Sequence, residues 1–130
     1  MRCEDWEKRL NAYLSDVKPF EWAINDCCQF TLGKWSEVAT GVNHLTKYKY
    51  KTELGAAKIL NKLGGIEELT TLHLGEPKLP TLAQRGDIVS FEHDRGMALG
   101  ICIGAKIAAV GDDGLLLLSM SLAQKAWSLE

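Results

Sequence analysis

The sequence predicts an α+β fold, with N-terminal helices packed on a small C-terminal antiparallel sheet. Two observations carry that expectation. Apolar residues recur at helical spacing through the first half of the chain, whereas the second half reads as short strands separated by turn-sized gaps. The two textures also follow one another instead of interleaving, which separates α+β from an alternating parallel α/β chain. The expected organisation is one domain over residues 1–130, mainly helical over 1–76 and mainly strand over 84–130.

The helical half follows from spacing and caps. Residues 4–17 place Trp6, Leu10, Tyr13, Leu14 and Val17 on one helical face, and Pro19 marks its end. The aromatic connector "PFEWAIN" leads into "NDCCQF". Asp26 has the chemistry of an N-cap, since its carboxylate can accept from an orphan main-chain N–H; Gln29, three residues on, completes a capping-box pattern. Two apolar rows follow, Cys28/Leu32/Trp35/Ala39 and Cys27/Phe30/Val38, so this helix is expected to be central and buried on more than one side. Gly41 stops it. Residues 42–51 read as a polar loop bearing tyrosines. Thr52 caps a third helix, "ELGAAKILNKL", whose inner face is Ala56, Ile59, Leu60 and Leu63; Gly64 and Gly65 end it. "IEELTTLHL" is a short fourth helix ending at Gly75, and Pro77 and Pro80 bracket a loop.

In the strand half, Asp87–Phe91, Ala98–Ile103, Lys106–Val110 and Gly114–Met120 all have strand character. "HDRG", "GAK" and "GDDG" separate them, and gaps this short make an antiparallel meander the simplest topology. The tail "AQKAWSL" adds a short edge strand. "GDDG" lacks the spaced oxygens and distal glutamate of a calcium loop and is expected to be a tight turn.

Composition narrows the function. A net charge of -2, with 46% hydrophobic and 25% charged residues, describes a soluble globular protein without the basic face of a nucleic-acid binder. Lys47, Lys49 and Lys51 are read as a solvated loop face. At 130 residues the chain can bury a core without disulfides or metals. No apolar stretch reaches the length of a membrane span. "MRCEDWEKRL" has no apolar signal region, so synthesis in a cytoplasm without export is expected. Of the four cysteines, Cys3, Cys27, Cys28 and Cys102, two are adjacent, which suits reduced thiols better than a disulfide framework. No C-x-x-C pair occurs, so neither a zinc site nor any cofactor is implied.

Two stretches together resemble the NlpC-type cell-wall cysteine peptidases. "DCCQF" opening a helix is similar to that family's Asp-Cys-Ser-Gly-aromatic pattern. "RGDIVSF" followed by "ALGICIG" is similar to its Gly-Asp strand and its His-Val-Gly-Ile-x-Ile-Gly strand. The wider layout, from "FEWAINDCC" through "GGI", "RGDIV" and "LGICIG" to "AWSL", also resembles small phage and prophage proteins encoded near tail genes. The resemblance spans most of the chain, and the joint order of the motifs carries it. It implies a papain-like fold, an ancestry in peptidoglycan cleavage, and association with a virion.

Carried over residue by residue, Cys27 takes the nucleophile's position. A thiol at a helix N-terminus feels the positive end of the helix dipole, which favours thiolate. The family also needs an imidazole to accept and deliver a proton, and a polar group to orient it. By the resemblance, the imidazole's position is Ala98. Alternation puts Ala98, Gly100 and Cys102 on one sheet face, expected to look toward Cys27. The orienting group would come from "KIAAV", where Ile107, Ala108, Ala109 and Val110 offer none. His93, five positions before Ala98, is the alternative base. His44 and His73 are read as surface or helix-terminus histidines. Cys28 and Cys102 are read as core residues. Trp22, Trp35 and Trp127 are core aromatics or, alternatively, the lining of a ligand groove.

The expectation is therefore a vestigial nucleophile, Cys27, in a domain that has lost catalysis and serves a structural or interaction role. Its expected partners are other phage tail proteins or cell-wall peptides, with neither nucleic acid nor membrane among them. The alternative is an active thiol hydrolase that cleaves peptidoglycan peptides through Cys27. A third reading is a module that binds a small molecule or peptide in the old cleft.

Overall fold

The computed structural model of the chain describes residues 2–94 and 96–129. α1 (Trp6–Leu14) comes first. Two helical residues, Cys27 and Cys28, lead into a π-helix (Gln29–Trp35), which continues as α2 (Ser36–Thr40). We call this run the central helix. α3 (Glu53–Leu63) and α4 (Ile66–Leu74) follow. β1 (Ile88–His93), β2 (Gly96–Cys102), β3 (Lys106–Gly111), β4 (Gly114–Ser119) and β5 (Ala123–Trp127) form one antiparallel sheet in the order β4-β3-β2-β1-β5. The fold is α+β. β1 to β4 make the expected meander, and the tail strand returns to the far edge, where Trp127 pairs with Ile88.

The local rules hold at most boundaries. Thr52 Oγ1 accepts from the Gly55 N–H at 3.1 Å and starts α3. Gly41 and Gly64 end their helices in the left-handed conformation, with φ of +85° and +94°. Gly111 pairs with Gly114 across Asp112 and Asp113, so "GDDG" is a tight turn. The "HDRG" turn contains Arg95, which lies outside the described residues. α1 is shorter than its apolar stripe suggests. Beyond Leu14 the chain leaves the helix, and the Phe20 N–H bonds the Gly111 carbonyl at 2.9 Å.

The π-turns of the central helix are a departure from the expected α-helix. The Ser36 N–H reaches back five residues to the Thr31 carbonyl as well as three to Gly33. The Leu32 carbonyl accepts from the His44 N–H of the following loop at 3.0 Å. Thr31 Oγ1 donates to the Cys27 and Cys28 carbonyls at 2.8 and 3.4 Å, competition of the kind that loosens a helical ladder. The wider winding still buries Phe30, Leu32 and Trp35.

Both faces of the sheet are apolar. The helix-side face supplies Ile88, Leu99, Ile101, Ala108 and Trp127 to a core shared with Leu10, Phe30, Leu32 and Trp35. The opposite face gathers Val89, Phe91, Cys102, Ile107, Ala109 and Ala126, with Ala98 packed against them. Buried indoles find partners: Trp35 Nε1 donates to the Gly86 carbonyl at 3.0 Å and Trp127 Nε1 to Thr71 Oγ1 at 3.1 Å. Asp87, only 2% exposed, ties the ends of the chain together. Its carboxylate pairs with Arg2 and Lys78 and also accepts from the Gln84 and Leu129 N–H groups.

A candidate functional site beside Cys27

The start of the central helix forms one wall of a cavity of about 270 Å³. Trp22, Asp26, Cys27 and Cys28 line it there, and Tyr48 and Tyr50 line it from the loop that follows the central helix. Ala56, Ile59 and Leu60 of α3, Ile66 and Leu69 of α4, and Met97 of β2 complete a mostly apolar lining. No residue of α3 is fully buried: Ala56, Ile59 and Leu60 line the cavity, and Leu60 and Leu63 pack against the core.

Asp26 caps the helix as its position suggests. Its Oδ1 accepts from the Gln29 N–H at 2.9 Å, and its Oδ2 from the Ala23 N–H at 2.9 Å and from the Tyr50 hydroxyl at 2.6 Å. Only half of the expected capping box forms. The Gln29 side chain bonds the Tyr50 hydroxyl at 3.3 Å. Burial, followed by the neighbouring Asp26, pushes the Tyr50 phenol well up.

Cys27 and Cys28 are partly buried free thiols that share the cavity wall. The Cys28 thiol, acting as donor, holds Cys27 below the ordinary thiol value; burial opposes this, and a main-chain contact at Leu99 adds to it. Cys28 is pushed well up by the same bond and by burial. Cys28, expected as plain core, thus shares the cavity wall with Cys27.

The expected placement of the base needs correcting. Leu99 and Ile101, not Ala98 and Gly100, face the helices. Ala98 sits on the opposite sheet face, and Met97 is the β2 side chain that reaches the cavity. His93 is wrong as an alternative base for the same reason. It is the last residue of β1, exposed, with its ring edge-on to Phe91 of the far-face cluster at 6.2 Å. β3 brings no polar side chain near: Ala108 and Val110 belong to the helix-side core, and Ile107 and Ala109 to the far face.

His73 stands in the last turn of α4, as expected of a helix-terminus histidine, but it and His44 are not separate. Their rings lie 5.4 Å apart, and the Tyr48 hydroxyl is 2.6 Å from His73 Nε2. Tyr48 itself lines the cavity, so this cluster reaches the site through a phenol. Nothing local in the sequence announces it, because the loop and the end of α4 meet only in the fold. Trp22 lines the cavity, whereas Trp35 and Trp127 are fully buried core. Cys102 is core on the far face.

Among the described residues, no group of three or more His, Cys, Asp or Glu side chains could hold a metal ion. Among the same residues, no helix is long and apolar enough to cross a membrane. No curated protein matches the chain. A family model does, over residues 1–129, and the chain belongs to the family described as a domain of unknown function, DUF6950.

Proposed function

We propose that this chain is a papain-like domain of the NlpC type that has lost hydrolysis and works by binding. In this reading it is a structural or interaction component of phage or prophage origin, associated with the tail and its virion. Its partners are other tail proteins or cell-wall peptides. The observation that carries the loss of catalysis is the side chain that β2 brings to the cavity of Cys27. β2 presents Met97 to the cavity and turns Ala98 away, and His93 lies on the other sheet face. A thiolate can attack a peptide carbonyl, but the leaving amine needs a proton, which an imidazole would supply. The apolar cavity suits retention of a partner's side chain better than hydrolysis at its wall.

Incubation with peptidoglycan stem peptides, followed by mass spectrometry, tests this reading. The peptides are expected to stay intact. Cleavage by the wild type that disappears in Cys27→Ala would overturn it.

A second reading, an active thiol hydrolase, draws on one observation. Tyr48 stands on the cavity wall with its hydroxyl bonded to His73, a route by which a proton could reach the site. If that route works, Tyr48→Phe and His73→Gln abolish cleavage as fully as Cys27→Ala. Iodoacetamide labelling across pH adds a second check. An enzyme's Cys27 reacts well below the ordinary thiol value of about 8.5, and slow labelling in the folded protein argues against hydrolysis.

A further inference from the structure

Two adjacent cysteines on a cavity wall have an option that a single nucleophile lacks. Cys27 and Cys28 are consecutive residues, and both line the apolar cavity. Their own disulfide is disfavoured by geometry. Adjacent α-carbons across a trans peptide stand about 3.8 Å apart, closer than the roughly 4.4 Å at which ordinary disulfides begin. The main chain is also held against the rearrangement that closure would require. Asp26 caps the Gln29 N–H, and the Thr31 hydroxyl bonds both the Cys27 and Cys28 carbonyls. The pair therefore resists closing on itself. An atom inserted between the sulfurs relieves the short span and leaves the helix intact.

We propose that Cys27 and Cys28 form a two-thiol clamp for a trivalent thiophilic centre of the organoarsenical class, with the apolar cavity receiving its organic substituent. The reaction balances without an oxidant. An arsenic(III) oxide R–As=O and two thiols give R–As(S–)₂ and one water: two As–S bonds form, and the thiol protons leave with the oxide oxygen. Ile59, Leu60 and Met97 offer apolar surface to R across the cavity. Cys3 and Cys102 are placed otherwise. The Sγ of Cys3 points to the Val38 carbonyl and that of Cys102 to the Gly104 carbonyl, each at 3.8 Å, and Cys102 lies on the far sheet face. The clamp stands whether or not the chain hydrolyses peptides.

Phenylarsine oxide is the probe, used on the full chain and read by intact-protein mass. The wild type is expected to take up one phenylarsenic group, keep it in excess 2-mercaptoethanol, and release it to dithiothreitol. Cys27→Ser and Cys28→Ser are each expected to hold it about 100-fold less tightly, because the second bond of a chelate forms at high effective concentration. Arsenite, which lacks the phenyl group, is expected to bind more weakly than phenylarsine oxide. A Cys3→Ser/Cys102→Ser double variant is expected to match the wild type. The proposal is overturned by absence of an adduct on the wild type, by equal retention in either single variant, or by an adduct mapped to Cys3 or Cys102. A readout independent of variant folding is alkylation of the wild-type adduct, which must protect both Cys27 and Cys28. Protection of one alone overturns the clamp.

Discussion

The Tyr50 hydroxyl donates to Asp26 Oδ2 at 2.6 Å, and this bond fastens the loop after the central helix to that helix's first turn. Asp26 is 3% exposed, so the bond goes to a carboxylate shielded from water. Tyr50→Phe keeps the ring in the cavity wall and removes the donor to Asp26, together with the longer bond that the hydroxyl accepts from Gln29 Nε2. Loss of a hydrogen bond to a charged group costs about 1.5–3 kcal/mol. The urea midpoint of Tyr50→Phe is expected to fall accordingly. Asp26→Ala is expected to cost more, since the Ala23 and Gln29 N–H groups lose their acceptor as well. An unchanged midpoint in Tyr50→Phe would show that the bond contributes nothing net.

Asp87 carries the second prediction. Its buried carboxylate holds Arg2 near the N-terminus and Lys78 from the loop after α4, and Lys78 also bonds Ser128 Oγ at 2.8 Å. Asp87→Ala strands a largely buried guanidinium, and breaking a buried pair in this way costs about 3–5 kcal/mol. Lys78→Met is expected to cost clearly less, because Lys78 is more exposed than Arg2 and Arg2 still neutralises Asp87. Chemical denaturation of both variants checks the order. Equal losses would mean that the two cations share the carboxylate evenly.

Most element boundaries were legible because each rests on local chemistry, such as the Thr52 cap, the left-handed Gly41 and Gly64, and the Asp112–Asp113 turn. Which sheet face meets the helices was not legible. Alternation separates Ala98, Gly100 and Cys102 from Leu99 and Ile101, but both sets are apolar and both are packed, so the pattern has no polar side to orient it. The Asp26 cap beside the thiols could be read from "NDCCQF". The Tyr48–His73–His44 cluster could not, since it joins residues up to 29 positions apart through tertiary packing. The π-turns depend on the Thr31 hydroxyl and the His44 N–H, contacts that hydrophobic periodicity does not encode.

Gly100 provides a test of that strand placement. A Cβ there would lie 2.4 Å from Ile107 Cγ2 and 3.0 Å from the Ala108 carbonyl oxygen. Both neighbours belong to β3, so the clash cannot be relieved by one flexible side-chain end. Overpacking of this kind costs about 1–3 kcal/mol. Gly100→Ala is expected to lower the thermal midpoint, and to lower it less in an Ile107→Ala background, where the clashing Cγ2 is gone. An equal loss in both backgrounds would place the obstruction at the main chain of Ala108.

The histidine pair sets a pH dependence whose sign follows from burial. Desolvation holds His44 and His73 below their ordinary value, and for His73 the charges of His44 and Lys47 add to the lowering. An unfolded histidine titrates at about 6.5. The folded chain therefore binds fewer protons than the unfolded chain at and just below that pH, and stability rises with pH there. Above it, both states are neutral and the pair contributes no slope. As pH falls, the unfolded chain charges first and stability drops, until the folded histidines charge too and the loss levels off. Urea midpoints between pH 7.5 and 5 are expected to show this fall in the wild type and a shallower one in His44→Gln, which removes one titrating ring and the repulsion on His73. An identical slope in His44→Gln would locate the acid sensitivity elsewhere in the chain.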